Sequence, residues 1–396
     1  MRIAIDARPA VSAGMTGVGH YARELILRLP GVDPRSTYVA WYLNARRLAR
    51  PWRWGRRFFP PRPNLLERWT PFPARWFERL SLRWELPRLE WFLPFDVLFA
   101  PNFVPPPTAR RRVVLTVHDL AFRRFPETAP LATRRWLQRL ERALRQAAEI
   151  VVVSEATRRD LLELYPVDPG RVTVIHHGID TDRYRPASQA EVARVRARLG
   201  LDRPYLLFLG GIEPRKNIPR LIRAFASGRV EGGGPDLVIA GASVPWNPEG
   251  RQQLEGALRE IPVQARDRVR MAGYIDGRDK VALLSGAEAL VFPSLYEGFG
   301  FPILEAMACE TPVVTSNVSS LPEVAGDAAL LVDPLDETSI AGGIRSVVED
   351  PALRERLRIA GRNRVGLYTW DETARRTASV LHRAAGDTPA RSDDGC

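Results

Sequence analysis

Two acids and two cations, in two strings punctuated by glycine and proline, hold most of the chemistry available to this sequence. The string SLYEGFGFPILEAMACE, Ser294–Glu310, puts Glu297 in a loop with Gly298 and Gly300, and Glu305 about one turn into a helix that Pro302 opens. Proline suits the first helical position, where no intrahelical N–H bond is lost. Glycines allow backbone to approach a ligand closely, and the free N–H groups of a helix start favour phosphate. A carboxylate accepts hydrogen bonds from two adjacent hydroxyls, so these acids suit a hydroxyl-rich ligand. Glu305 would hold a ribose, as an acid does in dinucleotide folds, and Glu297 a transferred sugar. The bland alternative is a turn acid and a surface helix acid. A second string, GGIEPRKNIPRLIRAFA at Gly210–Ala226, lacks the P-loop pattern, so ATP hydrolysis is not implied. Arg215 can fork two hydrogen bonds onto phosphate oxygens and Lys216 adds a compact charge. The only lysines are Lys216 and Lys280, so lysine here marks a position arginine does not fill well. A solvated surface pair is its alternative.

Alternating β-branched runs and amphipathic segments must position these groups, and that alternation signals parallel βαβ units. First-half strands are expected at Arg2–Asp6, Tyr38–Tyr42, Val97–Phe99, Val113–His118, Ile150–Ser154 and Val172–His176, with helices at His20–Leu29, Leu131–Ala148 and Glu155–Tyr165. A second series runs Tyr205–Gly210, Leu237–Ala240, Val269–Ala272, Ala289–Pro293, Pro312–Ser316 and Ala329–Val332. Its helices include Ile218–Ala226, Asp279–Ala287, Pro302–Cys309 and Glu337–Glu349. The segment His176–Ser188 lacks apolar periodicity and is expected to link two doubly wound α/β domains, whose ligands bind at the carboxyl ends of strands. Residues 1–180 would form the first domain, 181–365 the second, and 366–396 a helix crossing back to the first, with a tail.

The 396 residues exceed one ordinary core. No run of 18 or more apolar residues is present to span a bilayer, and MRIAIDARP reads as a strand, so no signal peptide is expected. Cys309 and Cys396 give no disulfide scaffold, so a cytoplasmic home is the simplest. The net charge of +12 is almost all arginine. It suits a solvated basic surface or a negative partner: substrate phosphate, anionic membrane or nucleic acid. From Arg46 to Trp91 stand twelve arginines, four acids and six of the ten tryptophans (Trp52, Trp54, Trp69, Trp76, Trp84 and Trp91). Basic residues interleaved with Trp suit a membrane interface. The alternative is an Arg-rich insertion packed on the first domain.

With SNVSSLPEVAGDAALLVDP at Ser316–Pro334, these strings resemble family 4 of the retaining glycosyltransferases, the glycosyl transferases group 1, of GT-B fold. The resemblance covers the chain except 46–91. It implies two Rossmann-like domains facing across a cleft, a nucleotide-diphosphate sugar held by the second and an acceptor held by the first, and metal-independent transfer with retention. By the same resemblance Arg215 and Lys216 match the donor diphosphate pair, and Glu297 and Glu305 the two family glutamates. Gly298, Phe299, Gly300 and Phe301 match the loop under sugar and phosphate, and Tyr274 joins the donor set. GMTGVG at Gly14–Gly19, with Gly17 and Gly19, matches the family's glycine loop. His118, ending VVLTVHD, matches the histidine contacting the donor sugar, with Asp119 beside it, and His177 near the hinge is a further candidate. His118, Glu297, Arg215 and Lys216 are the expected catalytic set; no metal site and no bound cofactor is expected. TVHDLAF and GIEPRKN look most like mannosyltransferases, so GDP-mannose leads as donor and UDP-glucose follows. The acceptor is expected to be lipid-linked or an oligosaccharide for surface polysaccharide or glycolipid. Peripheral contact with the inner face of the plasma membrane is expected, and no nucleic acid. Two rivals are a GT-B-fold nucleotide-sugar epimerase and a non-catalytic binder of anionic lipid or nucleic acid. The chain departs from the family at Glu310, where glycine is frequent, in a 210–217 loop one residue shorter than some relatives, and at 46–91.

Overall fold

Runs such as Ile3–Asp6, Tyr205–Leu209 and Ala289–Phe292 are buried at every residue, as strands covered on both faces must be. The computed structural model describes residues 1–12, 16–44, 57–126, 131–228, 234–242 and 248–386, with the side chains of 131–138 excepted. Gly14, Trp52, Trp54 and Cys396 therefore lie outside the described residues.

The chain forms two units: residues 1–120, 134–178 and 370–396, and residues 121–133 with 179–369. In the first unit the strands are β1 (Arg2–Asp6), β2 (Thr37–Leu43), β3 (Leu65–Thr70), β4 (Val97–Ala100), β5 (Val113–Val117), β6 (Glu149–Val152) and β7 (Val172–Val174). All pair in parallel, in the order β3-β2-β1-β4-β5-β6-β7. The helices along this stretch are α1 (Gly17–Val32), α2 (Ala74–Trp84), the single turn α3 (Ala121–Arg124), α4 (Leu131–Gln146) and α5 (Glu155–Leu164). Ser154 caps α5 by accepting from the Thr157 N–H.

The second unit repeats the plan with β8 (Tyr205–Leu209), β9 (Asp236–Ala240), β10 (Val269–Gly273), β11 (Ala289–Phe292), β12 (Val313–Ser316) and β13 (Leu330–Val332). Their order, β10-β9-β8-β11-β12-β13, is again all parallel. Its helices are α6 (Gln189–Leu199), α7 (Ile218–Ser227), α8 (Pro248–Glu260), the short α9 (Val263–Arg266), α10 (Gly277–Ser285), α11 (Phe301–Ala308), α12 (Leu321–Ala325), α13 (Glu337–Glu349) and α14 (Pro351–Val365). In both sheets the first strand formed lies centrally and the order reverses beside it, at β1/β4 and β8/β11. Doubly wound sheets bind ligands at the carboxyl ends beside such a reversal.

The last helix, α15 (Trp370–Ala385), belongs to the first unit and packs on α1 and on β4–β6. His382 Nε2 lies 3.0 Å from Asp33, and Thr373 donates to the His176 carbonyl at 2.8 Å. The expected linker is partly structured: the Ser188 hydroxyl and Glu191 form a capping box that starts α6.

The basic stretch differs from an appended surface. Leu65–Thr70 completes the first sheet as its edge strand, and α2 follows. Phe77, Leu89, Leu93 and Phe95 are buried with Trp41 and Leu98 in one cluster. Arginine at the edge hid the strand, since β3 is buried only at its two ends, Leu65 and Thr70, and is partly or fully exposed between them. On the outer side Trp76, Trp84 and Trp91 are each more than half exposed, while Trp69 is half-buried. Arg79 and Arg83 lie over the rings of Trp76 and Trp84. No helix among the described residues is long and apolar enough to cross a membrane.

Candidate functional site

The two expected strings meet at the reversal of the second sheet. Residues 210–217 leave the end of β8, and residues 293–300 leave the end of the neighbouring β11. Arg215 and Lys216 sit in a single 3-10 turn, and Asn217 ends it at φ 60°. The Asn217 side-chain amide donates to the carbonyls of Pro293 (3.0 Å) and Pro334 (2.7 Å), tying the turn to the strand ends beside it. Leu295 N–H donates to the Arg215 carbonyl at 2.8 Å.

Glu297 is buried and stands on both cations. Lys216 Nζ donates to Oε1 at 2.5 Å and Arg215 to Oε2 at 3.0 Å, while Arg215 also bonds Glu213 and the Tyr296 carbonyl. Burial pushes the Glu297 carboxyl up, but Lys216 and Arg215 outweigh it and hold its pKa at about 2. Burial, and then the Arg215 charge, lowers the Lys216 pKa against the pull of Glu297. A dianionic ligand would ease the repulsion between Arg215 and Lys216, which meet on Glu297 while Arg215 also pairs with Glu213.

The Glu297–Gly300 loop is held from below by serines. Ser319 Oγ donates to the Glu297 carbonyl at 2.6 Å, and Ser320 Oγ to the Glu297 and Phe299 carbonyls, both at 2.9 Å. Gly300 has φ 107°, and a side chain there would meet Leu321 at 3.0 Å, so glycine is required to turn the chain into α11. Phe301 and Pro302 open that helix and Gly298 and Phe299 are buried. At the end of β9 a Cβ on Gly241 would lie 1.7 Å from the Gly210 carbonyl oxygen, so the backbone itself closes this side.

Glu305, also buried, faces Lys280 of α10 at 2.7 Å, and Tyr184 completes the group, with Lys280 Nζ 3.3 Å from its hydroxyl. Burial and then Glu305 raise the Tyr184 pKa. Tyr274 follows β10 and is 80 % exposed, away from these buried contacts. Sequence reasoning passed over Lys280, Tyr184, Asn217, Ser319 and Ser320. The rarity of lysine was a usable signal for the first; nothing in spacing marked the others.

The remaining expected residues lie in the first unit. His118 follows β5 and is buried; its Nε2 is 2.9 Å from the Pro101 carbonyl, at the end of β4. A carbonyl only accepts, so Nε2 carries the proton and a neutral ring offers Nδ1 as an acceptor. Burial lowers the His118 pKa, opposed by the Pro101 bond and the Asp119 charge. His177 stacks on it at 5.6 Å between ring centres, with Tyr21 edge-on to both. Burial, then the His118 charge, holds the His177 pKa well below the usual value. Gly17 and Gly19 occupy the first turn of α1, the former exposed and the latter buried.

Comparison with known proteins agrees with this architecture. The sequence family described as Glycosyl transferases group 1 matches residues 190–364, and Glycosyltransferase Family 4 matches residues 15–183. The chain is 34% identical over 287 residues to O-antigen chain mannosyltransferase B of Escherichia coli, covering 72% of this chain and 73% of that protein. It is 31% identical to an MMP alpha-(1->4)-mannosyltransferase of Mycolicibacterium hassiacum, over 63% of this chain and 58% of the relative. Among solved structures, sucrose-phosphate synthase from Thermosynechococcus elongatus superposes with a TM-score of 0.70 at 22% identity, covering 98% of this chain and 100% of that one. WaaG, a glycosyltransferase involved in lipopolysaccharide biosynthesis, gives a TM-score of 0.66 at 15% identity, covering 96% and 99%. These likenesses establish a GT-B fold of two Rossmann-like domains, and the sequence matches establish the activity class. The chain belongs to glycosyltransferase family 4, the glycosyl transferases group 1.

Proposed function

We propose that this glycosyltransferase is a retaining, metal-independent enzyme that moves mannose from GDP-mannose to a lipid-linked or oligosaccharide acceptor in cell-surface polysaccharide or glycolipid synthesis. UDP-glucose is the second donor to test. The observation that carries the reading is the group of Arg215, Lys216 and Glu297 at the strand reversal. Two mannosyltransferases among the relatives support the choice of sugar.

In this reading the donor diphosphate takes Lys216 and Arg215, and Glu297 is released to accept hydrogen bonds from sugar hydroxyls. Glu305, oriented by Lys280, accepts from the ribose. As the bond from the anomeric carbon to the phosphate oxygen breaks, charge builds on the leaving diphosphate, and the two cations stabilise it in a water-poor setting. The acceptor oxygen bonds the same carbon on the same face. Its proton passes to the departing phosphate oxygen, which preserves configuration without a second carboxylate. Neutral His118, with Nδ1 as acceptor, would hold a sugar hydroxyl.

The exposed outer side of α2, with Arg75, Arg79 and Arg83 beside Trp76 and Trp84, supports peripheral contact with anionic lipid.

Labelled GDP-mannose and UDP-glucose, each with and without lipid-linked acceptor, test the reading. Rapid release of GDP that needs acceptor, with product of retained configuration, is expected. Donor consumed equally without acceptor would indicate an epimerase instead, and turnover of UDP-glucose alone would replace the sugar.

A further inference from the structure

Next to the group around Glu305, a turn of the second unit carries a cation with no acid to pair with. Asp180 fixes that turn: its carboxylate accepts the N–H groups of Asp182 (3.1 Å) and Arg183 (3.2 Å), and its carbonyl accepts that of Tyr184 at 2.8 Å. Tyr184 is buried with its hydroxyl 3.3 Å from Lys280 Nζ, and Lys280 in turn stands on Glu305. Arg183 is exposed, yet it does not stand free in water. Its guanidinium lies over the Tyr184 ring, 5.2 Å from the centre. It also rests on Gly277 at the start of α10, where a Cβ would come within 2.6 Å of a terminal guanidinium nitrogen. Among the described residues this guanidinium makes no hydrogen bond or ion pair.

A guanidinium laid on an aromatic face keeps its planar fork of donors oriented, so less freedom is lost when it binds. Gly277 makes room for it, since any side chain there would push the fork aside. The contacts run in one line from Glu305 through Lys280 and Tyr184 to Arg183. A ribose carries its base on C1′ and its phosphates on the opposite side of the ring. With phosphates on Arg215 and Lys216 and ribose hydroxyls on Glu305, the base extends along this line. We propose that Arg183 reads the base of the donor nucleotide and selects guanine. The inference rests on the reading of Glu305 as the ribose acid. Guanine presents two adjacent acceptors, O6 and N7, which match the arginine fork. Adenine sets an amino donor beside N7, and uracil offers one carbonyl flanked by N–H and C–H, so neither takes both arms. Base choice would thus be set by a side chain from the segment joining the two units rather than by the loops that hold phosphate.

The test titrates GDP and UDP by calorimetry into the full chain and into Arg183→Ala, Arg183→Lys and Gly277→Ala. Wild type should prefer GDP. Arg183→Ala should weaken GDP by about ten- to a hundredfold, the worth of one bidentate base contact, and leave UDP almost unchanged. Arg183→Lys keeps the charge without the fork and should lose GDP as the alanine variant does. Gly277→Ala retains the arginine but displaces it, so GDP should again weaken selectively. The three variants should melt with wild type, because no ion pair is broken. Unchanged GDP affinity in Arg183→Ala, an equal loss of GDP and UDP, or full GDP affinity in Arg183→Lys would overturn the proposal. Arg215→Ala separates this result from the donor-site reading. If it weakens both nucleotides while Arg183→Ala weakens neither, the phosphate site stands and the base reader falls. If it changes neither nucleotide, the donor-site reading falls and takes the role of Arg183 with it.

Discussion

Glu297→Gln probes the centre of the donor site because it removes a charge and almost no volume. In the unliganded protein the carboxylate compensates Lys216 and Arg215 at 2.5 and 3.0 Å. Its pKa, about 2 against the ordinary 4.5, means that the folded state favours the ionised form. At about 1.4 kcal/mol per unit, the shift corresponds to stability on the order of 3 kcal/mol. A depressed carboxyl pKa contributes fully above the unfolded value near 4.5, and the contribution is lost as pH falls toward 2. Glutamine keeps an oxygen that can accept from Lys216, so the charge alone is tested. At pH 7 the variant should melt lower, by roughly 6–12 °C for a unit of this size. Between pH 4.5 and 2 its stability should fall less steeply than that of wild type. Nucleoside diphosphate should bind at least as tightly as to wild type, since no carboxylate competes for the cations, while sugar transfer falls by orders of magnitude. Calorimetric melting from pH 2 to 7 with and without GDP or UDP reads all but the last. Superimposable wild-type and variant stability curves over that range would refute the coupling of Glu297 to the two cations.

Arg215→Ala and Lys216→Ala should each weaken nucleoside diphosphate by about 1.5–3 kcal/mol and leave the bare nucleoside almost unchanged, measured by calorimetry with both ligands. Arg75, Arg79 and Arg83 changed together to Ser should lower sedimentation with anionic vesicles, which should itself fall with added salt, and leave neutral vesicles unaffected. Glu310→Gly should alter stability by less than about 1 kcal/mol. It relieves a left-handed residue at φ 59° but gives up the ion pairs with Arg358 and Arg362, and thermal melting checks the balance.

The central strands were legible because burial on both faces leaves an unbroken apolar run, as in Tyr205–Leu209. The ends of elements shifted by one to three residues, three at each end of α1, as hydrogen bonding rather than hydropathy sets them. β3 was illegible: LLERWT carries two charged residues, because an edge strand needs only partial cover. Helix α2 escaped for a related reason, since only Phe77 and Ser81 of its residues are buried. At Glu310 the family's glycine preference was noticed without its cause, which is the left-handed backbone now seen there. The donor strings were legible because each is local in sequence. The group around Glu305 was not, since Tyr184, Lys280 and Glu305 come from three distant segments that the sheet reversal brings together.

The path of the chain has a consequence for how it is made. The first unit begins the sequence but is closed by α15, whose Trp370, Thr377, Leu381 and neighbours are buried within it. Emerging from the ribosome, β1–β7 must wait for nearly the whole chain to be synthesised before that face is covered. The second unit, almost continuous from 179 to 369, has all of its strands and helices available earlier. Vectorial synthesis ordinarily lets N-terminal domains fold first; here every element of the second unit precedes, in the sequence, the helix that closes the first. A chain stopped before Trp370 should therefore expose the apolar flank of α1 and β4–β6 that α15 covers.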